Sequence, residues 1–350
     1  MNTIITLILL ILILSLIVFV HEFGHFIAAK KNKVYVHEFA IGMGPKIFSF
    51  KRKNDETEYS LRALPLGGFN AIASETEGRT KGIKKDQILE NKKYSQRLVI
   101  LIMGIVFNFV LAMILLFINA SIYGSPVTKA YVGEVEHGST AYHNGIKEDD
   151  LIVSVDGKKI NSFDDLLLET RFGEIKEEYE FVIKREDKEL TLKLNPEIKT
   201  DDEGNKYPVF GIAASKKRET GLVASVKYMF KETLNNSTSL FRILGKIFTG
   251  KIGLNNLSGP VGIYGVIDNV KSKGLENLIY LTAYLSINVG IINLLPIPVF
   301  DGGRVLLLLI ERIKGKRINE KAEYVLNAIG TVLLILLMLY VTIKDIFRLF

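Results

Sequence analysis

The sequence predicts a polytopic α-helical membrane protein with four transmembrane helices and one inserted α/β domain. Three observations lead there. The 350-residue chain is 48% hydrophobic and 24% charged, with a mean hydropathy of +0.23, a mixture of membrane-like and water-exposed parts. Four stretches each supply roughly the 20 mostly apolar residues that a bilayer crossing requires. Between the second and third of them the pattern changes to short alternating strands separated by glycine turns.

The first span, within residues 1–29, opens with IITLILLILILSLIVFV and runs straight into HEFGHFIAA. Met1–Val20 holds no Lys or Arg and its apolar run leads straight into His-Glu, so a retained helix is expected rather than a cleaved signal peptide. The second span covers residues 97–119, around LVILIMGIVFNFVLAMILLFI. The third, residues 277–303, ends in the proline-broken stretch NLLPIPVFDGG, and the fourth covers residues 324–345.

Charge sets the expected orientation. The segment Lys30–Arg97 carries 15 Lys/Arg against 8 Asp/Glu, and Arg304–Glu323 carries 6 against 3. Basic links of this kind collect on the cytoplasmic side. Residues 30–96 and 304–323 are therefore expected inside, with both termini and the long middle segment outside. HEFGH and Asp301 then fall at the same membrane depth. The net charge of +7 needs no nucleic-acid partner, and no arginine-rich tract interleaved with aromatics is present. The absence of cysteine excludes disulfides and thiolate metal sites.

Residues 126–197 read as a small α/β domain. AYVGEVEHGSTAYHNGIKEDDLIVSVDGKKI alternates Val/Ile strands with Gly turns, SFDDLLLETRF reads as a short amphipathic helix, and EYEFVIKREDKELTLKLN reads as a hairpin. The order, and the phrase GI-x-x-x-D-x-I-x-x-V-D-G at 145–157, resemble a bacterial PDZ domain. That resemblance implies peptide binding by strand addition at a sheet edge. Residues 215–275 read as an extracytoplasmic, partly helical linker that could lie on the membrane surface.

The chemistry concentrates in HEFGH. Side chains four apart share a helix face, so His21 and His25 present two imidazoles to one ion, with Glu22 beside them. Zinc suits such a pair, and its catalytic sites use three protein ligands and keep one open position. Glu22 would act as general base. Ionisable groups at this depth are costly and mark function. No third ligand follows at short spacing: His37 is too near, and His137 and His143 lie in the inserted domain. Asp301 remains, on backbone that Pro296 and Pro298 keep from forming a regular helix. Irregular backbone at membrane depth is tolerated where it is buried or lines a wet cavity. Asp-Gly-Gly is also an ordinary turn or helix cap, and that reading stays open on the residues alone.

HEFGH in span one, the PDZ-like domain after span two, and N-x-x-P-x-P-x-x-D-G in span three together resemble the site-2 protease family of intramembrane zinc metalloproteases, of the bacterial regulator of sigma-E protease type. GMGP at 42–45, LPLGGF at 64–69 and LSGPVGI at 257–263 match as well. Phe300 stands where the family usually has leucine, and one PDZ-like domain stands where its best-known member has two. The full fold expected is four transmembrane helices with a membrane-associated β element, placed around 36–63, and one inserted PDZ domain. The resemblance implies zinc (Zn2+) held by His21, His25 and Asp301, with Glu22 as base. It also implies substrate-backbone contacts from Asn293 and Asn288; interhelical hydrogen bonding is the alternative for both. The implied substrates are single-span membrane proteins, anti-sigma factors or signal-peptide remnants, cut at a bacterial inner membrane. The rival expectations are a metal-handling membrane protein and a PDZ scaffold with a membrane anchor.

Overall fold

The computed structural model describes residues 2–75, 78–171, 174–200, 206–253 and 257–347. Small parts of the expected segments, Met1, 76–77, 172–173 and 254–256, lie outside them. Two compact units form, one from Met1–Leu115 with Leu257–Phe350, the other from Leu116–Asn256.

The chain opens with helix α1 (Asn2–Lys31). A 16-residue strand β1 (Val36–Lys51) and β2 (Glu58–Ile72) follow, joined by the polar turn that the sequence marks with KRKNDET. Their pairing is denser than a simple hairpin. Ala40 pairs with Ser60 on one side and with Phe69 on the other, and Phe50 pairs with Tyr59. Each strand is thus bent back on itself. The bends need Gly42, Gly44 and Gly67, whose φ angles of +85°, +82° and +74° are open to glycine at no steric cost. At Gly42 a Cβ would also lie 2.6 Å from the Leu64 carbonyl oxygen. The tip exposes Met43, Ile47, Phe48 and Leu64 together, an apolar patch suited to lipid rather than water.

Helix α2 (Tyr94–Tyr123) then packs on α1. Gly24, in the middle of HEFGH, permits the approach: a Cβ there would meet the Met103 carbonyl oxygen at 2.4 Å. Small residues at such crossings allow backbones to touch where lipid supplies no hydrophobic drive.

The second unit contains β3 (Ser125–Pro126), β4 (Val132–Val135), α3 (Thr140–His143), β5 (Leu151–Val155), β6 (Lys158–Lys159), α4 (Phe163–Arg171), β7 (Tyr179–Arg185), β8 (Lys188–Leu194), β9 (Glu197–Thr200), β10 (Lys206–Val209), β11 (Ile212–Ala214), β12 (Arg218–Glu219) and α5 (Leu222–Phe248). An antiparallel sheet runs β6-β5-β7-β8 over a core that includes Ile152, Leu166, Phe181, Ile183 and Phe210. The hairpin over 179–194 is present as expected. The expected end at residue 197 is not. β11 returns to pair with β4, and β12 pairs with β3. Phe210 enters the core between them, so residues 206–219 complete the unit rather than link it onward.

The expected linker at 215–275 likewise divides. α5 is an amphipathic helix of the second unit. Helix α6 (Pro260–Lys271) belongs to the first, where Ile267 is fully buried with Ile13, Ile17 and Leu281. Helix α7 (Leu275–Leu294) is shorter than the expected span 277–303. Leu295 is extended, and helix α8 (Asp301–Lys314) starts only at Asp301, taking in much of the expected 304–323 link. Helix α9 (Glu320–Phe347) ends the described chain. Its buried Asp345 accepts hydrogen bonds from the amides of Gly259 and Gly262, at 2.7 and 2.8 Å. This carboxylate caps the amino end of α6, where free N–H groups favour negative charge.

Four helices are long and apolar enough to cross a membrane among the described residues: Thr3–Lys31, Tyr94–Tyr123, Leu275–Leu294 and Lys321–Phe347. The chain is a polytopic membrane protein.

Candidate metal centre

The HEFGH turn lies in the last third of α1, so both imidazoles leave the same face. His21 Nε2 and His25 Nε2 stand 3.1 Å apart. The third group comes from the far end of the sequence. Asp301 Oδ2 lies 3.0 Å from His21 Nε2 and 3.2 Å from His25 Nε2. Among the described residues this is the one cluster of three such groups that could hold a metal ion.

Asp301 reaches this position because α7 stops. Pro296 and Pro298 remove two amide donors, and Val299 adopts φ +92°, a strained value for a β-branched residue. The chain reverses, and α8 begins pressed against the end of α7. Gly302 and Gly303 are required there: a Cβ would meet the Leu294 oxygen at 2.1 Å and the Ile297 oxygen at 2.3 Å. Asp-Gly-Gly is therefore a helix start that permits close approach, with its carboxylate facing the imidazoles.

The pocket behind the histidines comes from α2. Gly104 leaves the space they occupy, since a Cβ would fall 2.3 Å from His25 Nε2 and 2.8 Å from His21 Cε1. His25 Nδ1 donates to the Ile100 carbonyl oxygen at 2.7 Å. A carbonyl can only accept, so the proton sits on Nδ1 and the lone pair of Nε2 faces the cluster. Asn108 Nδ2 lies 3.3 Å from His21 Nδ1. Glu22 is half-buried on the next position of α1. Asn293 is half-buried in the last turn of α7, and Asn288, five positions earlier, has a buried amide oxygen without a partner.

Sequence reasoning missed Ile100, Gly104 and Asn108. One signal was present: Asn108 interrupts an apolar span, and polar groups at such a depth are costly unless they serve a purpose.

The donor set fits zinc. Ligands at about 2.0–2.2 Å around one tetrahedral ion stand roughly 3.3 Å from one another. The three separations here are 3.0, 3.1 and 3.2 Å. The set is two imidazoles and a carboxylate, and the carbonyl behind His25 is the kind of outer partner that orients a ligating histidine.

Residues 9–337 match the peptidase family M50. The chain belongs to peptidase family M50. The M50 chain is similar along its whole length to a Fusobacterium nucleatum protein whose name carries the words zinc metalloprotease, 39% identical over 99% of both chains. It is 34% identical to the regulator of sigma-W protease RasP of Bacillus subtilis, covering 99% of each. The zinc metalloprotease RasP of Bacillus licheniformis is also 34% identical, with full coverage of both. The expected resemblance to site-2 proteases is borne out, and the M50 chain is a zinc metalloprotease of the membrane.

Proposed function

We propose that the chain cuts single-span membrane proteins within or beside the bilayer, at a zinc ion held by His21, His25 and Asp301, with Glu22 as the general base. The single observation that carries this reading is the approach of Asp301 to both imidazoles next to Glu22, on helices apolar enough to lie in lipid. When bound, zinc lowers the pKa of water to about 7 and polarises a carbonyl. The residues of the chain do the rest. Glu22 takes a proton on its carboxylate as water attacks the peptide carbonyl, then delivers it to the departing amine nitrogen. Asn293, with Asn288 behind it, holds the substrate backbone, since an amide both donates and accepts.

Helical substrate hides its carbonyls in hydrogen bonds, so it must be drawn into extended form first. The bent β1–β2 element, with its apolar tip and unpaired outer edges, suits strand addition. The substrates are of the anti-sigma type that the name of the Bacillus subtilis relative suggests, or signal-peptide remnants. The setting is the bacterial inner membrane, with the site towards the cytoplasmic face, a placement that rests on the basic links at 30–97 and 304–323.

The second unit serves as an extracytoplasmic PDZ module. Its sheet, the helix α4 and a cavity of about 870 Å3 lined by Phe163, Leu166, Tyr207, Phe210 and Ile212 support that reading, with room for a peptide ligand.

The test compares wild type with Glu22→Gln in detergent, with bound zinc and cleavage of a membrane-span peptide both measured. Zinc in both forms and cleavage in wild type alone is expected. Equal cleavage by the two forms removes Glu22 from the mechanism.

A further inference from the structure

The two histidines of the cluster do not have equivalent support. His25 is preset by the Ile100 carbonyl, which forces its proton onto Nδ1. Behind His21 the partner within reach is the side-chain amide of Asn108, on α2. An amide can face either way, because its oxygen and nitrogen are interchangeable in shape. With the nitrogen towards His21, the amide donates to Nδ1, the imidazole proton moves to Nε2, and that atom cannot ligate. With the oxygen towards His21, Nδ1–H donates to it and Nε2 presents its lone pair.

Asn108 is built into the site rather than scattered near it. Its side chain and that of Ser286 are fully buried. Ser286 Oγ on α7 donates to the Asn108 backbone carbonyl oxygen at 2.9 Å, which fixes this turn of α2 from the third membrane-length helix. The Oδ1 atom is buried with no partner when the nitrogen points at His21. A buried acceptor left without a donor forfeits its hydration with nothing in return. A donor stands beside it in the ligating tautomer, namely His21 Nδ1–H.

We infer that Asn108 is a positioning residue for the metal site, whose amide oxygen accepts the Nδ1–H of His21 and so fixes the tautomer that ligates. This rests on the zinc-site reading above. Its position in mid-span follows from this task. Asn108 sits one helical turn beyond Gly104, so the same face of α2 makes room for the imidazoles and orients one of them.

The experiment uses the full chain in detergent, with zinc affinity measured by competition against a chromogenic chelator and cobalt substitution as a second readout. Asn108→Ala and Asn108→Leu remove the acceptor; Asn108→Asp keeps one. Loss of an outer partner of this kind lowers affinity about 10–100-fold. We expect that loss in the Ala and Leu variants, with a changed cobalt d–d spectrum, and near wild-type affinity and spectrum in the Asp variant. Thermal unfolding of the metal-free forms separates packing from ligation: a residue that only packs α2 would tolerate Leu better than Asp, reversing the order. Wild-type affinity in the Ala variant, or equal loss in Ala and Asp, overturns the inference. A wild-type protein that binds no zinc defeats the metal-site reading itself, a different result.

Discussion

His25 Nε2 and Asp301 Oδ2 stand 3.2 Å apart, across 276 residues of chain. One arrives on the first helix and the other on a helix that starts only after a proline-broken reversal. Neither half brings three candidate ligand groups together without the other, so the cluster depends on how α1 and α8 are held.

Asp301→Ala should abolish stoichiometric zinc while leaving the apolar spans folded, because two ligands remain where catalytic sites use three. Metal analysis of the purified variant, with circular dichroism for helix content, checks this. A strong zinc chelator should inactivate wild type reversibly, with activity returning on added zinc.

Gly104→Ala should reduce zinc affinity at least 10-fold. A methyl there would sit 2.3 Å from His25 Nε2, and closely packed interiors do not absorb such an overlap without moving a neighbour. The neighbour that moves is His25, a ligand in the proposed site. Gly245→Ala is the control, because a Cβ at Gly245 meets nothing within 4 Å. Unchanged affinity in Gly104→Ala would show that the histidines stand elsewhere in the working enzyme.

Asp345→Ala should lower stability by about 1–2 kcal/mol, the usual cost of losing a helix cap. Two amides at the start of α6 lose their acceptor together. Thermal unfolding in detergent measures the loss, and hydrogen exchange should rise first at Gly259 and Gly262. Exchange that rises uniformly would contradict a local cap.

The turn between β1 and β2 should loosen in acid. Burial opposes ionisation of Asp55, but hydrogen bonds from Lys30, the Thr57 amide and Tyr59 outweigh it and hold the carboxyl below its ordinary range. A depressed folded value stabilises above the unfolded pKa, about 3.9, and that contribution fades as pH falls below it. Limited proteolysis at 52–57 should therefore accelerate from pH 5 to pH 3. Asp55→Asn should cleave faster at pH 5 and lose that pH dependence.

The parts legible beforehand share a physical cause. Bilayer thickness sets helix length, so four spans could be counted, and helical pitch puts His21 and His25 on one face whatever surrounds them. Asp301 could be named from the sequence only as the carboxylate left over after the histidines were counted and as the one the family resemblance implies, because an Asp-Gly-Gly after two prolines is also an ordinary turn or cap. Residues 206–219 were not, because strand pairing between β4 and β11 is a contact at long range that leaves little trace in either short segment. The bent pairing of β1 with both halves of β2 escaped for the same reason.

The sequence by itself determined the number of spans and the paired imidazoles with their neighbouring carboxylate. These follow from bilayer thickness and from local helical pitch. Only the tertiary structure decided that α2 would stand behind the histidines, with Gly104 giving them room, Ile100 accepting from one and Asn108 facing the other. Which helix packs against which depends on side chains meeting across the bundle, and no periodicity within a single span carries that information.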